Sequence, residues 1–500
     1  MMDVLLAHSF FLKNDARQVE KMKPYPPLGT LYAASHLRSH GYEVALFDAM
    51  LSEGIHEFQE RLKATRPKIV AFYEDQFHFL NKMCLNHSRQ ALCRMSEIAR
   101  AHGATVIASG SDLSDHPEAY FRHGVEYVLA GEADHTLIEL VNVLTGRSRE
   151  GIDSIPGVAM PQMSNPLDVR KTQSRHPERH PDTFPFPAWD LLDAEKYREV
   201  WRAAHGYFSV NMVSTRGCPF HCNWCAKPIW GQRYAMRSPA NVAEEMALIK
   251  RTIRPDHVWF ADDIFGLQPK WVAEFAREVA ARDASIPFMI QSRVDLMTDQ
   301  AVDALARAGC VEVWLGAESG SQRILDAMDK GTRVADIPVV REKLRRAGIR
   351  ACFFIQFGYP GETINEIMET VRMVQECLPD DIGVSVSNPL PGTRFHEMVK
   401  ADLGEKDHWE ESNDLAMMFQ GTYRTDFYRA LHKLLHRDLE TRQRIARDPG
   451  CEESRAAMKA LEAQWDAMIA SEANHRSANP TPFRKRYELI EAPDLSRRWN

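Results

Sequence analysis

Short apolar runs alternate with amphipathic stretches along the first 150 residues. The runs are five or six residues long, as strands of a buried sheet are: Val4–His8, Glu43–Asp48, Ile69–Glu74, Thr105–Gly110 and Tyr127–Gly131. The stretches between them have helical spacing: Leu28–His40, Ile55–Thr65, Asn86–His102 and Pro117–His123. This alternation is typical of a parallel sheet with helices on both faces. Residues 1–150 are therefore predicted to form a doubly wound α/β domain.

The next segment, residues 151–205, is rich in proline. Its prolines are Pro156, Pro161, Pro166, Pro177, Pro181, Pro185 and Pro187. Because proline interrupts helices and strands, we predict a linker here. The stretch FPFPAWDLLD, Phe184 to Asp193, is expected to pack across the seam between two domains.

Residues 206–400 repeat the strand and helix alternation six times. The predicted strands are Phe208–Ser214, His257–Ala261, Pro287–Gln291, Val311–Ala317, Cys352–Phe357 and Gly383–Ser387. The predicted helices are Asn241–Arg251, Pro269–Ala281, Asp299–Ala308, Ser321–Met328, Ile337–Ala347 and Ile364–Glu376. Six such units fit a partial (β/α)6 TIM-like barrel, whose chemistry lies at the carboxyl ends of the strands.

Residues 401–500 are predicted to form a helical C-terminal region that caps the barrel. The run Asp414–His436 is aromatic and helical in period, and Trp409, Tyr423 and Tyr428 can either line a substrate pocket or fill a core. Aromatic residues at this spacing are more often core residues. The last twenty or so residues, with Pro480, Pro482 and Pro493, are expected to be loosely ordered.

Composition excludes several classes of function. The formal charge is 62 − 69 = −7, which gives no sign of a nucleic-acid binder. No apolar stretch approaches the twenty or so residues of a membrane span, and the first apolar run is interpreted as a strand rather than a signal peptide. Six of the nine cysteines are scattered, which predicts free thiols in a reducing cytoplasm.

The other three cysteines lie together in GCPFHCNWC, Gly217 to Cys225. Cys218, Cys222 and Cys225 have the spacing CxxxCxxC on a loop after the first barrel strand. Three thiolates can hold three irons of a [4Fe–4S] cluster and leave the fourth iron open for a non-protein ligand. A zinc knuckle is the alternative, but structural zinc sites need four ligands, and only His221 lies close enough to add one.

This cysteine motif resembles that of the radical SAM superfamily. The segments after the later strands also resemble it, namely FADDIFG, QSR, LGAESGS, FGYPGE and NPLPGT. The resemblance implies that S-adenosylmethionine (SAM) binds the open iron. It further implies SAM contacts from Asp262 and Ser319, from Arg293 to the methionyl carboxylate, from Glu318 to the ribose or amino group, and from Trp224 beside the adenine. Any one of these residues can instead be a cap or a core residue; Asp262 can cap the following helix.

The first domain resembles the cobalamin-binding domain that precedes the barrel in many radical SAM proteins. The resemblance rests on PYPPLGTLYAASHLRSHGYEV and EYVLAGEADHTLIEL. It implies cobalamin at the carboxyl edge of the sheet, with these candidate contacts: Ser9, Ser109, Gly110, Gly131 and Glu132. The DxHxxG element that supplies a histidine ligand to cobalt is absent, and His8 and His78 are interpreted as surface or structural residues. A Rossmann-like domain that binds nothing is the alternative.

Together these resemblances imply a radical SAM enzyme that uses cobalamin to methylate an unactivated carbon of a small molecule. An electron donor such as flavodoxin or ferredoxin would be its protein partner. One alternative keeps the cofactors but carries out an oxidative cyclisation or hydroxylation, as in anaerobic magnesium-protoporphyrin ester cyclase. A methylthiotransferase is disfavoured because further cluster cysteines and an RNA-binding tail are missing. A non-catalytic iron–sulfur sensor is the alternative of another class.

Overall fold

The structure is a computed structural model that describes residues 2–83, 85–162, 165–227, 229–231, 233–403, 408–412 and 414–482. Cys84 and residues 483–500, which include Pro493 of the predicted loose end, lie outside the described residues. Among the helices described, none is both long and apolar enough to cross a membrane.

The N-terminal domain is built on a seven-stranded sheet with the strand order β2-β1-β3-β4-β5-β6-β7. Its strands are β1 Val4–Ala7, β2 Val44–Phe47, β3 Ile69–Tyr73, β4 Thr105–Ser109, β5 Tyr127–Leu129, β6 Val158–Gln162 and β7 Asn165–Lys171. Its helices are α1 Ala16–Lys21, α2 Leu28–Ser39, α3 Ile55–Thr65, α4 Phe79–Lys82, α5 Asn86–Ala101, α6 Ser111–Asp115, α7 Pro117–Phe121 and α8 Asp134–Leu144. Strands β1 to β5 are parallel, which confirms the doubly wound prediction.

Both faces of this sheet are buried, because side chains alternate across a strand. In β1, Val4 and Leu6 belong to one apolar core, whereas Leu5 and Ala7 belong to another on the opposite face. The buried apolar runs in the sequence are therefore strands covered by helices on both sides.

The proline-rich segment is only partly a linker, which corrects the prediction for residues 151–205. Strands β6 and β7 extend the first sheet in antiparallel fashion. Pro161 lies in β6 beyond the two residues that pair with β5, so its missing N–H breaks no bond to that strand. Helix α9, Ala194–His205, ends the segment and begins at the side-chain cap of Asp193.

The second domain is an open half-barrel of six parallel strands, as predicted. The order of the strands in this sheet is β15-β14-β13-β12-β11-β8, and β9 and β10 form a separate two-stranded ribbon. The bounds are β8 Ser209–Met212, β9 Thr215–Gly217, β10 Tyr234–Met236, β11 His257–Phe260, β12 Phe288–Ser292, β13 Cys310–Glu318, β14 Arg350–Phe357 and β15 Asp381–Val386. The helices are α10 Pro239–Thr252, α11 Pro269–Ala281, α12 Asp299–Ala308, α13 Gln322–Ala327, α14 Asp336–Arg346 and α15 Ile364–Cys377. The carboxyl ends of the six strands are called the barrel mouth below.

The C-terminal region contains α16 Arg394–Val399, α17 Thr425–Arg447 and α18 Glu452–Ser471. The helix predicted from residue 414 begins only at Thr425. Trp409, Tyr423 and Tyr428 are all buried in the core, which confirms the core interpretation. Residues of this region pack at the barrel mouth: a Cβ on Gly358, just after β14, would lie 3.0 Å from Met417 Sδ.

The first domain covers the open edge of the half-barrel, at strand β8. The Asn211 side chain of β8 donates a hydrogen bond of 3.1 Å to the Pro26 carbonyl. Tyr25 packs its ring against Trp201 and Trp259, at centroid distances of 5.2 and 4.7 Å. The motif PYPPLG thus has a structural use: it covers an edge strand that would otherwise be exposed.

A buried ion cluster joins the two domains beside the cysteine loop. Arg216 of β9 donates to Asp134 Oδ2 at 2.9 Å and to Glu132, and its guanidinium lies 4.1 Å from the Phe184 ring centroid. All three charged side chains are at most 5% exposed. Burial by itself would raise the pKa of Asp134, but the Arg216 charge outweighs it and holds the pKa below its ordinary value.

Arg216→Met is expected to lower the free energy of unfolding by about 3–5 kcal/mol, because two buried carboxylates lose their cation. The triple variant R216M/E132Q/D134N buries no charge and should recover much of that loss. Urea denaturation followed by tryptophan fluorescence measures both values. A triple variant no more stable than R216M would contradict the assignment.

Candidate metal centre

The three clustered cysteines lie on a loop whose two ends are tied together by strands β9 and β10. Gly217 pairs with Tyr234, and Thr215 pairs with Met236. Gly217 has φ +78, and a Cβ there would collide with the Arg233 carbonyl oxygen. Glycine before Cys218 is therefore required by both backbone conformation and space.

Cys218, Cys222 and Cys225 are free and partly buried. Burial raises the pKa of Cys218 and Cys225, that of Cys225 to about 12, and the nearby Asp263 carboxylate adds to the effect. A bound metal offsets this by deprotonating its thiol ligands outright. Among the described residues, no group of three or more His, Cys, Asp or Glu side chains is placed to hold a single metal ion. Three separate thiols on one loop fit the three protein-bound irons of a cubane cluster.

Asn223 holds the loop against the half-barrel. Its backbone N–H donates to the Met328 carbonyl at 3.0 Å, and its side chain donates to the Ala327 carbonyl at 2.7 Å. Tyr359, after β14, donates to Asn223 Oδ1 at 3.2 Å. Trp224 is half-buried against the apolar cluster that includes Met328 and Tyr359. Its predicted contact with adenine stays a prediction.

Arg293 makes several contacts inside the protein, and its predicted contact with the methionyl carboxylate stays a prediction. It donates to both oxygens of Asp295 at 2.9 Å and to the Lys330 carbonyl at 2.8 Å. Its Nη1 also lies 3.9 Å from Cys222 Sγ, and its guanidinium stacks 3.7 Å from the Phe220 ring centroid. A guanidinium has about five N–H donors, and four of those of Arg293 have hydrogen-bond partners. The positive charge lies beside a cysteine of the loop.

Glu318 ends β13 in the left-handed region, with φ +59, a conformation that is costly for a residue with a side chain. It is 5% exposed, and its Oε1 accepts a hydrogen bond of 2.7 Å from Lys330 Nζ. Burial would lower the pKa of the Lys330 ammonium, but Glu318 and Cys222 outweigh burial and raise it. Within the described part of the chain, no donor bonds to Glu318 Oε2, so that oxygen is available for a ligand at the barrel mouth.

Asp262 is part of the scaffold beneath the cysteine loop. Its carboxylate accepts from the backbone N–H groups of Ser214 and Thr215, at 2.8 and 2.9 Å, and from the Ser214 hydroxyl. Burial raises its pKa to about 6. It does not cap the following helix, whose N-terminal residue is preceded by Gln268. Asp262 therefore orients the turn between β8 and β9.

Ser319 is also internal. It is fully buried, its Oγ lies 3.1 Å from Thr370 Oγ1, and it accepts from the Ser321 N–H at 3.1 Å. These bonds fasten the end of β13 to α15. The structure thus brings Glu318 and Arg293 to the cysteine loop and leaves Ser319 and Asp262 behind it.

The first sheet offers its ligand crevice at the point where the strand order reverses, between β1 and β3. Glu74 covers this crevice: it accepts from the Ser9 N–H at 2.9 Å, and its Cβ would lie 3.0 Å from a Cβ on Gly110. The Ser109 hydroxyl accepts from the Gln76 side chain at 3.4 Å. Burial raises the pKa of Glu74. Three predicted cobalamin contacts are therefore in contact with the protein's own polar groups.

Asp75 occupies the N-terminus of α2, where doubly wound domains often bind a ligand phosphate. Its carboxylate accepts from the N–H groups of Leu28 and Gly29, at 3.2 and 3.0 Å. The segment Pro24–Gly29, at the carboxyl edge of the first sheet, is therefore partly filled by the protein's own carboxylate.

The end of β5 lies against the segment between the cysteine loop and β10, which contains Ile229 and Trp230. A Cβ on Gly131, which has φ +71, would lie 3.6 Å from the Ile229 carbonyl oxygen. Trp230 stacks on Phe77 of the first domain at a centroid distance of 5.2 Å. Glu132, a predicted cobalamin contact, is instead bound to Arg216 in the ion cluster. The edge of the first sheet and the cysteine loop are direct neighbours.

His8 and His78 are buried rather than on the surface, and the contacts of His8 support its structural interpretation. His8 Nε2 lies 2.8 Å from Asp48 Oδ1, while Tyr197 donates to the other carboxylate oxygen at 2.7 Å. His78 packs edge-on against Trp259 at 6.2 Å. Sequence reasoning missed three residues that shape the site: Arg216, Asn223 and Lys330. Only Asn223, inside the cysteine motif, had a local signal.

Comparisons with known proteins agree with this geometry. The family model described as the Radical SAM superfamily matches residues 212–374, so the chain carries a radical SAM domain. A methyltransferase of Pyrococcus horikoshii, named as uncharacterized, is 28% identical over 386 residues, which cover 75% of this chain and 79% of that protein. The anaerobic magnesium-protoporphyrin IX monomethyl ester cyclase of Rubrivivax gelatinosus is 25% identical over 393 residues, which cover 76% of this chain and 67% of the cyclase.

The solved structure of the radical S-adenosylmethionine methyltransferase TsrM from Kitasatospora setae has a similar fold. With tryptophan and a SAM analogue bound, it matches with a TM-score of 0.65 and 18% identity, over 80% of this chain and 76% of TsrM. With cobalamin and a [4Fe–4S] cluster bound, it matches with a TM-score of 0.58 and 19% identity, over 77% of this chain and 71% of TsrM. The likeness shows a common fold.

Arg293→Gln is expected to lower the midpoint potential of a cluster on this loop by roughly tens of millivolts, because hydrogen bonds and charge near the sulfurs tune it. Arg293→Lys keeps the charge and should shift the potential less. A redox titration followed by electron paramagnetic resonance, on samples of equal iron content, measures the shift. Equal potentials in R293Q and the unaltered protein would refute this role.

Proposed function

Starting from the fact that the chain is a radical SAM enzyme, we propose that it methylates an unactivated carbon of a small molecule with the help of cobalamin. The observation that carries the proposal is the contact between the edge of the first sheet and the cysteine loop. Gly131, Phe77 and Glu132 of the first domain meet Ile229, Trp230 and Arg216 of the loop and its base. Two cofactors bound at these two places would be neighbours.

In this proposal Cys218, Cys222 and Cys225 hold the [4Fe–4S] cluster, which supplies one electron to cleave SAM when bound. Glu318 is oriented by Lys330 and keeps one oxygen for the ribose hydroxyl or ammonium of SAM. Trp224 supplies an apolar wall beside the last cysteine. Arg293 places a positive charge at Cys222.

The crevice of the first sheet supplies the groups that cobalamin requires. A corrinoid carries many amide side chains, which both donate and accept hydrogen bonds. Glu74, the Ser9 N–H and the Ser109 hydroxyl can exchange their internal bonds for such partners, and Gly110 and Gly131 add no side chain. When bound, cobalamin would supply a transferable methyl group. We propose that binding requires Glu74 to turn away from Ser9.

No side chain has to act as a nucleophile in this scheme, because the cofactors supply the chemistry and the protein positions them. The strained Glu318 with its Lys330 partner favours a catalytic site over a sensor, since backbone strain clusters at ligand sites. We further propose an electron donor of the flavodoxin or ferredoxin type and a reducing cytoplasm, in keeping with the free thiols of the described cysteines.

A second candidate function is oxidative cyclisation or hydroxylation without methyl transfer. The similarity to the cyclase of Rubrivivax gelatinosus over 76% of this chain favours it. Both candidates need the same cluster and the same SAM contacts. They differ only in the fate of the SAM methyl group.

The triple variant C218A/C222A/C225A is expected to lose the cluster after anaerobic reconstitution, because all three protein ligands are gone. Iron counting and the visible spectrum measure the loss. The matched control C93A/C377A/C451A removes three other free and partly buried thiols and should keep its iron. A full cluster in the first variant would sink the assignment.

Methyl-labelled SAM separates the two candidate functions. In the proposed function, label appears in the product and depends on added hydroxocobalamin, because the methyl group passes from SAM to the substrate carbon. Mass spectrometry of products, formed with an extract of the source cell as substrate, measures the transfer. Turnover with 5′-deoxyadenosine formation but no label in product would favour cyclisation or hydroxylation.

A further inference from the structure

A cavity of about 450 Å³ opens at the seam between the two domains, next to the cysteine loop. One wall is the connector at Pro177–Arg179, and the other is the ribbon from Arg233 to Ala235. Trp230 and the buried Arg216 complete the lining. The volume is that of an ordinary small-molecule pocket. None of the residues assigned above to the cluster or to SAM lines this cavity.

Two of the guanidinium groups in the lining have no carboxylate partner in the part of the chain that the structure describes. Arg216 is neutralised by Glu132 and Asp134. By contrast, no carboxylate lies within ion-pair distance of Arg179 or Arg233 among the described residues. Arg233 Nη2 lies 3.0 Å from His176 Nδ1, which orients its side chain without cancelling its charge.

The carboxylate in the lining, Glu178, is already engaged. Its Oε1 accepts from the His180 N–H at 2.8 Å, and its Oε2 lies 3.4 Å from His135 Nε2. The backbone bond to His180 is the main cause that lowers the pKa of Glu178. These contacts leave the carboxylate charged, but the lining holds three arginines against this one carboxylate, so the net charge of the lining side chains is positive.

The cavity also has an aromatic side that leads toward the cysteines. Trp230 is held in place by its stacking on Phe77. Tyr234 is half-buried and pairs with Gly217, the residue before Cys218, in the ribbon of β9 and β10. A ligand anchored at the arginines can thus extend along an apolar surface to the cysteine loop.

We propose that this cavity binds an anionic group, a phosphate or a carboxylate, of a ligand whose remainder reaches the cysteine loop. Arg179 and Arg233 make the charge-assisted hydrogen bonds, and Trp230 and Tyr234 contact the apolar part. Two ligands have this chemistry: the substrate, through an anionic substituent, and cobalamin, through the phosphate of its nucleotide loop. The identification of the substrate as the anionic ligand rests on the proposed function, whereas anion binding itself does not.

Calorimetric titration of the reconstituted full chain with inorganic phosphate, against chloride at equal ionic strength, tests the site. The double variant R179Q/R233Q should bind phosphate at least about tenfold more weakly, because charge-assisted hydrogen bonds are lost. The control R277Q removes an exposed arginine of α11 and should bind like the unaltered protein. Both arginines of the double variant are exposed, so its melting temperature should not change. Equal phosphate affinity in all three proteins, or no phosphate binding beyond that of chloride, overturns the proposal.

Retention of hydroxocobalamin through gel filtration then identifies the source of the anion. Loss of corrinoid together with phosphate affinity in R179Q/R233Q assigns the site to the cofactor phosphate. Corrinoid retention with loss of phosphate affinity assigns it to the substrate. If no protein retains corrinoid while phosphate affinity still falls in the double variant, the proposed function fails and the anion site stands.

Discussion

The contact between Arg216 and its two carboxylates is the interaction on which the arrangement of this protein depends. Glu132 and Asp134 follow the last parallel strand of the first sheet, and Arg216 lies two residues before Cys218. A buried guanidinium requires anionic partners, so the cysteine loop can sit where it does only with the first domain in place. The ion cluster therefore fixes the distance between the crevice of one domain and the thiols of the other.

The cysteine loop is also surrounded by charged side chains. Arg293 and Lys330 bring two cations beside Cys222, each held by a carboxylate, Asp295 or Glu318. Thiolates and a cluster carry negative charge, which such cations stabilise. On the other side of the loop, Arg179 and Arg233 of the seam cavity have no such carboxylate among the described residues. The charges beside Cys222 are therefore paired, whereas the seam cavity on the other side of the loop is positively charged.

Most of the fold could be predicted from local patterns, because the order of buried and exposed residues along the chain differs between strands and helices. The parallel strands were recognisable from their apolar runs, and the helices Ile55–Thr65, Pro269–Ala281 and Asp299–Ala308 have the predicted bounds. The errors lie in two places. In the proline-rich segment, strands β6 and β7 were not predicted, and in the aromatic run the helix begins only at Thr425. Strands β6 and β7 form despite their prolines, because Pro161 pairs only with Val169 of β7 and lies beyond the two residues that pair with β5.

For the site, the sequence by itself determined the cysteine triad and its place after the first barrel strand, because both depend on neighbours in the chain. Only the tertiary structure decided which polar residues at strand ends face a ligand. Glu318 lies at the barrel mouth, at the end of β13. By contrast, the Asp262 carboxylate is hydrogen-bonded to the turn after β8, and Glu132 is bound to Arg216. The physical reason is that a buried polar group must find partners, and those partners lie up to 84 residues away along the chain.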